Sequence, residues 1–226
     1  MKIAVLGTGM VGQAIAGRLD ELDHEVTVGT RDVEATMART EPDGMGNPPF
    51  SAWAPAHPGV HLATFAAAAG GADLVINATS GDVSMAALEA AGADSLAGKV
   101  LLDVANPLYF AAGFPPTLSV KDTDSLAEQI QAAFGQAKVV KALNTMAAPL
   151  MVNPAQLAGG DHSVFVSGND AEAKKTVTGL LESFGHSDVI DLGDISTARG
   201  PEMILPIWLR LMGSLNTPMF NFKIVR

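Results

Sequence analysis

Three groups of residues in this chain have types and spacings that can do chemistry. The first is Gly7-Thr8-Gly9-Met10-Val11-Gly12. Gly7 permits a tight turn, Gly9 lets the backbone approach a bound pyrophosphate, and Gly12 allows a helix to pack closely on the preceding strand. Backbone N–H groups at the start of that helix face the phosphates, aided by the helix dipole. A glycine-rich turn with no ligand is the alternative. The context speaks for a dinucleotide, because a buried-strand pattern leads into the turn and a helical pattern leads out of it.

The second group, Gly29-Thr30-Arg31, stands at the tip of the next strand. An NAD-preferring site carries Asp or Glu there to hold the ribose hydroxyls. No carboxylate occupies that tip. Thr30 can donate a hydrogen bond, and Arg31 can clamp a 2′-phosphate and stack on adenine. Asp32 comes one position too late and suits the cap of the following helix. The expected ligand is therefore NADPH; a solvated surface arginine is the alternative for Arg31.

The third group follows later strands. Asn77-Ala78-Thr79-Ser80, Asn106-Pro107 and Asn144-Thr145-Met146 fall at strand tips, where open α/β sheets hold their ligands. Pro107 keeps Asn106 extended. These tips are expected at the nicotinamide end of the groove, with ordinary turn chemistry as the alternative for each.

Acid–base candidates are few. Tyr109 is followed four positions later by Gly113, so a Tyr-x-x-x-Lys pair is absent. The histidines (24, 57, 61, 162 and 186) are isolated and without metal-ligand spacing, which predicts surface or loop positions and no metal. Asp103 lies in a strand as a candidate buried carboxylate. Lys141 is a candidate functional group, but a strand lysine near a sheet edge is the commoner case. Carbonyl reduction needs a proton donor beside the hydride acceptor. Hydride transfer between stacked cofactor rings needs mainly alignment and exclusion of water, and a site of small polar groups suits that task. No catalytic residue is assigned; Asn106, Asn144 and Met146 are candidates lining the site.

The elements that must position these groups alternate. Lys2–Leu6, Val26–Val28, Asp73–Asn77, Val100–Val104 and Val139–Leu143 read as strands. The segments after Gly9, from Asp32 toward Arg39, Ser84–Ala93 and Ser125–Phe134 read as helices, the last with Asp124 as candidate N-cap. Val60–Ala63 reads as a short strand before an alanine-rich helix. Residues 41–60 hold prolines at 42, 48, 49, 55 and 58 and glycines at 44, 46 and 59, which preclude a regular element. Phe50 and Trp53 could anchor this stretch as a flap near the nucleotide; a surface insertion is the alternative. Beyond it the grammar continues with a strand at 163–166, a helix at 171–184 ended by Gly185, a strand at 189–191 and an apolar helical tail from Ala198. The fold class is α/β: a Rossmann-type, doubly wound parallel sheet over 1–146, with a smaller C-terminal α/β extension over 147–226 that packs on it and ends in an apolar helical segment.

The chain of 226 residues is 48% hydrophobic and carries a net charge of -10. It can bury a sizeable core, and nucleic acid and anionic membranes are unexpected partners. The absence of cysteine excludes disulfides and thiolate chemistry. The first strand begins at Lys2 and no apolar run spans a bilayer, so a cytoplasmic protein is expected.

Residues 1–32, with the glycine motif and Val28-Gly29-Thr30-Arg31, resemble the NADPH:coenzyme F-420 oxidoreductases. So do Val139-Val140-Lys141-Ala142-Leu143-Asn144-Thr145, Val164-Phe165-Val166-Ser167-Gly168-Asn169-Asp170 and Asp191-Leu192-Gly193 leading to Ala198-Arg199. The Val-Lys-Ala-Leu-Asn-Thr and Val-Ser-Gly-Asn-Asp segments are also similar to the oxidoreductase domain of the STEAP metalloreductases. The resemblance implies NADPH facing a deazaflavin (coenzyme F-420) or a flavin, in a cleft closed by the C-terminal segment of a homodimer. It implies that Thr8, Met10, Val11, Thr30 and Arg31 contact NADPH. Thr79, Ser80, Asn106, Asn144, Met146 and Ala147 then approach the nicotinamide or second cofactor. Arg199 recurs in the family, and an Arg199–Glu202 pair on one helix face would account for it. Two segments depart from the pattern: the 41–60 loop is longer, and Thr79-Ser80-Gly81 lacks a bulky aromatic. Reduction of a small imine or carbonyl with water or Lys141 as proton source, and a non-enzymatic NADPH sensor, are the competing functions.

Overall fold

The computed structural model describes residues 1–44, 46–111 and 113–226. In chain order the elements are β1 (Lys2–Leu6), α1 (Met10–Glu21), β2 (Glu25–Thr30), α2 (Val33–Ala38), α3 (Phe50–Trp53), β3 (Val60–Thr64), α4 (Phe65–Gly71), β4 (Leu74–Asn77), α5 (Ser84–Ala91), α6 (Ala93–Leu96) and β5 (Val100–Asp103). They continue with β6 (Leu108–Tyr109), β7 (Thr117–Leu118), α7 (Leu126–Ala133), β8 (Lys138–Lys141), α8 (Ala148–Val152), β9 (Ser163–Gly168), α9 (Ala171–Phe184), β10 (Asp188–Gly193), α10 (Arg199–Met203) and α11 (Leu205–Leu215).

Eight strands form one sheet in the order β10-β9-β8-β5-β4-β1-β2-β3, while β6 and β7 make a separate antiparallel ribbon. The side-chain period of two divides each central strand between two cores. Ile3 and Val5 of β1, Leu74 and Ile76 of β4, and Val140 of β8 join Ile15 and Leu19 of α1 and Val177, Leu180 and Leu181 of α9. Ala4, Leu6, Val75, Leu101 and Val139 face the other way, against Leu88 of α5 and Leu126 and Ile130 of α7. This is the Rossmann-like, doubly wound α/β architecture. Apolarity on both faces is why these strands read as unbroken hydrophobic runs.

The expectation of a wholly parallel sheet needs one correction. β9 runs antiparallel to β8, meeting it only at Val140↔Gly168 and Lys141↔Ser167; β10 then pairs parallel with β9. In that register the start of β9 projects beyond the carboxyl end of β8. The long connection through α8 returns the chain from above the sheet, so β9 enters head-down rather than by a crossover helix.

The 41–60 stretch is not devoid of regular structure. Pro49 caps the four-residue α3, and a 3-10 turn follows at Ala54–Ala56. Phe50 is buried, and Trp53 stacks on His57 with centroids 3.8 Å apart, so aromatic contacts build a turn that proline alone would interrupt. The cap of α7 is Ser125, not Asp124. Ser125 Oγ accepts from the Glu128 N–H at 3.1 Å, while the Asp124 carboxylate is spent on Ser125 N–H and the Gln129 amide. Of the histidines expected at surface or loop positions, His162 and His186 do lie in loops, but both are buried and meet edge to face at 6.1 Å. Among the described residues no helix is long and apolar enough to cross a membrane.

Candidate functional site

The glycine turn lies between β1 and α1. Gly7 has φ +121, and a Cβ there would stand 2.6 Å from the Ala78 carbonyl oxygen. At Gly12 a Cβ would stand 2.0 Å from the Gly7 oxygen, whereas at Gly9 it would meet nothing within 4 Å. Gly7 and Gly12 are therefore required by the turn itself, and Gly9 leaves open space above it. Gly9 also occupies the N-cap of α1 and supplies no capping side chain, so the positive end of that helix faces the opening. Beside it Thr8 is half-buried, Met10 exposed and Val11 partly buried.

At the tip of β2, Thr30 is buried and its hydroxyl bonds Thr36 at 2.7 Å. Asp32 caps α2, accepting from the Ala35 N–H at 2.9 Å. Arg31 is exposed and, among the described residues, has no hydrogen-bond or acidic partner. It borders a cleft of about 380 Å³ shared with Thr8, Gly9, Thr30, Arg39 and Pro48. A larger hollow, about 420 Å³, lies at Met1, His24 and Glu172. That one sits at the amino ends of β1 and β2, the wrong side of the sheet for a strand-tip ligand.

Arg39, Asp43 and Asn47 were not singled out from the sequence, yet they line the same cleft. Asn47 holds Asp43 through its backbone and side-chain nitrogens, both at 2.9 Å. Gln13, buried on α1, donates to the Thr8 and Pro48 carbonyls at 2.9 and 3.2 Å and ties the loop to the glycine turn. A buried glutamine on an otherwise apolar helix face was the available signal. Of the two readings of the 41–60 loop, these contacts favour the flap.

At the other strand tips, Asn106 and Asn144 are clasped together. Asn106 Nδ2 donates to the Asn144 carbonyl and Asn144 Nδ2 to Asn106 Oδ1, both at 2.9 Å. Asn144 Nδ2 also donates to the Pro201 carbonyl at 3.0 Å. Leu143, just before it, sits at φ +63, a left-handed conformation costing about 1–3 kcal/mol for such a residue. That twist swings Asn144 toward Asn106 as the chain leaves β8. Thr79 Oγ1 donates to Asn77 Oδ1 at 2.7 Å. Ala78 and Ala147 are half-buried, and Ser80 is exposed and bonded to Asp82. Met146 is buried in the core formed by α1 and α9, so it backs this region from within.

Lys141 does not lie near a sheet edge. β8 is interior, and its side chain is wholly buried, with Nζ 2.8 Å from Asp103 Oδ2 and 2.9 Å from Glu202 Oε1. A third bond goes to the Ala105 carbonyl. Burial alone would lower its pKa, but the two carboxylates outweigh burial and hold it above the ordinary lysine value. The Arg199–Glu202 pair is likewise corrected. Arg199 reaches Glu128 of α7, with Nε 2.8 Å from Oε2, and that hydrogen bond holds the Glu128 carboxyl below its ordinary pKa. Glu202 turns inward to Lys141. The helix carries both residues, but its two sides face different neighbours.

The glycine turn and Arg31, which has no partner among the described residues, border one cleft, while Asn106 and Asn144 stand at the tips of other strands and are not part of its lining. Residues 2–107 match the family model described as NADP oxidoreductase, coenzyme F-420-dependent. A crystal structure from Arthrobacter sp. FB24, proposed to be an F-420-dependent NADP-reductase, is 65% identical over all of both chains, with a TM-score of 0.97. The F-420-dependent NADP reductase of Methanocaldococcus jannaschii is 32% identical over 52% of this chain and 52% of its own. Metalloreductase STEAP3 of Rattus norvegicus is 29% identical over 92% of this chain and 38% of its own length. The matches thus cover about half or less of these two curated relatives. By these similarities the chain belongs to the coenzyme F-420-dependent NADP oxidoreductase family.

Proposed function

We propose that this chain is an NADP(H)-dependent oxidoreductase that passes a hydride between NADPH and a deazaflavin, coenzyme F-420, or a flavin-type acceptor, as a cytoplasmic homodimer. The observation that carries the reading is Arg31, exposed in the cleft beside the glycine turn and without a partner among the described residues, with Asp32 committed to capping α2. The open N-terminus of α1 and the space over Gly9 suit a pyrophosphate. Arg31 suits a 2′-phosphate, and Arg39 adds a second cation to the same cleft, whereas the Thr30 hydroxyl donates to Thr36, which in turn donates to the Asp32 carbonyl, and is spent there.

NADPH supplies the hydride. The chain holds the adenosine end by charge and presents neutral amides, Asn106 and Asn144, at the other end. Lys141 is a poor proton donor because its three N–H bonds are engaged by Asp103, Glu202 and Ala105. This disfavours imine or carbonyl reduction with Lys141 as the acid, and favours an acceptor whose reduction depends on ring alignment.

Purified protein with NADPH is tested against coenzyme F-420, FAD, FMN, ferric chelates and small imines, following loss of nicotinamide absorbance at 340 nm. The proposal expects turnover with coenzyme F-420 or a flavin. Turnover with imines alone refutes the acceptor class. Tight NADPH binding with no turnover indicates a sensor.

A further inference from the structure

The ion cluster beneath the strand tips joins three elements: Asp103 ends β5, Lys141 ends β8 and Glu202 lies on α10. All three side chains are essentially out of water. Two carboxylates face one ammonium, and the surplus negative charge is met by the start of α7. Glu202 Oε2 accepts from the Leu126 N–H at 2.8 Å and Oε1 from the Ala127 N–H at 3.2 Å. The helix dipole adds to that attraction.

Hydrogen bonds run outward from the cluster along two paths. On one, Asp103 Oδ1 accepts from Asn77 Nδ2 at 2.8 Å, and Asn77 Oδ1 accepts from the Thr79 hydroxyl. On the other, Pro201, next to Glu202, offers its carbonyl to Asn144, which is clasped to Asn106. Buried ion clusters seldom outperform a packed apolar trio in stability. What charged, directional bonds add is a single geometry. Here that geometry reaches three side chains at the carboxyl ends of successive strands.

We propose that Glu202 is a positioning residue: through Lys141 and the Pro201 carbonyl it sets Asn144, Asn106 and Thr79 for hydride transfer without touching cofactor or acceptor. The inference rests on the NADP(H) oxidoreductase reading.

Full-length wild type is compared with Glu202→Gln and with Glu202→Asp, which keeps the charge but is one methylene too short to span Lys141 and α7. Nicotinamide fluorescence gives the NADPH Kd, hydrogen exchange reports on 142–147 and 199–203, and stopped flow gives kcat and acceptor KM. Both variants are expected to keep the NADPH Kd within about threefold while kcat falls by about tenfold or more. Exchange should rise at 142–147 and 199–203 and stay unchanged in α1 and α9. Unchanged kcat in either variant overturns the proposal. So does parallel loss of NADPH affinity and kcat with exchange rising throughout, which marks a merely structural role. Should wild type turn over no acceptor, the functional reading fails by itself. Exchange still decides in that case: NADPH-induced protection of 142–147 seen in wild type and lost in the variants supports the positioning role, and equal protection in all three overturns it.

Discussion

The two ends of the site are built on opposite principles. Beside the glycine turn bonding capacity is left over: Arg31 has no partner among the described residues, the first turn of α1 has no side-chain cap and the space over Gly9 is open. Beneath the tips of β5 and β8 the charged groups are saturated. Lys141, Asp103 and Glu202 satisfy one another, and the amides of Asn106 and Asn144 are clasped. Unspent capacity at the surface is recognition capacity, because a ligand gains what water alone was supplying. Saturated capacity in the interior confers rigidity, and its disturbance is paid in stability before it is felt as affinity.

This contrast is sharpest where each end is cut. Lys141→Met leaves two carboxylates facing each other in the core and is expected to destabilise the fold by about 3–5 kcal/mol, read as a lower denaturant midpoint. A midpoint close to wild type would show that the interior end is not saturated as described. Arg31→Ala is expected to leave that midpoint in place and weaken NADPH binding roughly tenfold to a hundredfold, from about 1.5–3 kcal/mol for a charged bond to phosphate. NADH binding should barely change, and isothermal titration with both nucleotides is the check. Equal loss for both would move the 2′-phosphate elsewhere.

The glycine turn contains both principles at once. Gly12→Ala forces a Cβ to 2.0 Å from the Gly7 oxygen and should cost roughly 1–3 kcal/mol of stability. Gly9→Ala meets nothing, so its thermal midpoint should stay near wild type while NADPH titration weakens. A smaller effect marks the last residues, 221–226, which run beside β9 and β10: Ile224 N–H donates to Ser163 Oγ at 2.9 Å, and Lys223 and Arg226 reach the Asp188 carboxylate. Ser163, Arg226 and Lys223 hold Asp188 at a pKa of about 2, below its ordinary 3.8. A depressed carboxylate contributes stability above its unfolded pKa and loses it as pH falls through the folded value. Exchange protection at 221–226 should therefore persist at neutral pH and fade between about pH 4 and pH 2. Asp188→Asn should remove that step, and protection that ignores pH there would exclude the clamp.

Much of the fold was legible because it rests on local rules. The buried runs of β1, β4 and β5, the glycine turn, the Asp32 cap and the helix ending at Gly185 are written in patterns a few residues long. What was misjudged depends on partners distant in sequence. Arg199 and Glu202 are three positions apart and suggested one pair. They point to Glu128 and Lys141, which are supplied by α7 and β8. The histidines at 162 and 186 looked isolated because the segments that bury them are not their neighbours in the chain. The visible signs of the buried cluster were the charged residues in apolar strands, Asp103 and Lys141, and the lone acid of the apolar tail, Glu202.

The amino-acid sequence by itself determined that this chain makes a dinucleotide-binding turn, and that the tip of the second strand offers a cation where an acid would select NAD. Those properties follow from glycine's missing side chain and from charge type at fixed offsets. Only the tertiary structure decided which carboxylate meets which cation, that β9 enters the sheet antiparallel, and that the 41–60 loop borders the cleft with Arg39. Each of these depends on segments far apart in the chain being brought within hydrogen-bond reach, and no local pattern encodes that distance.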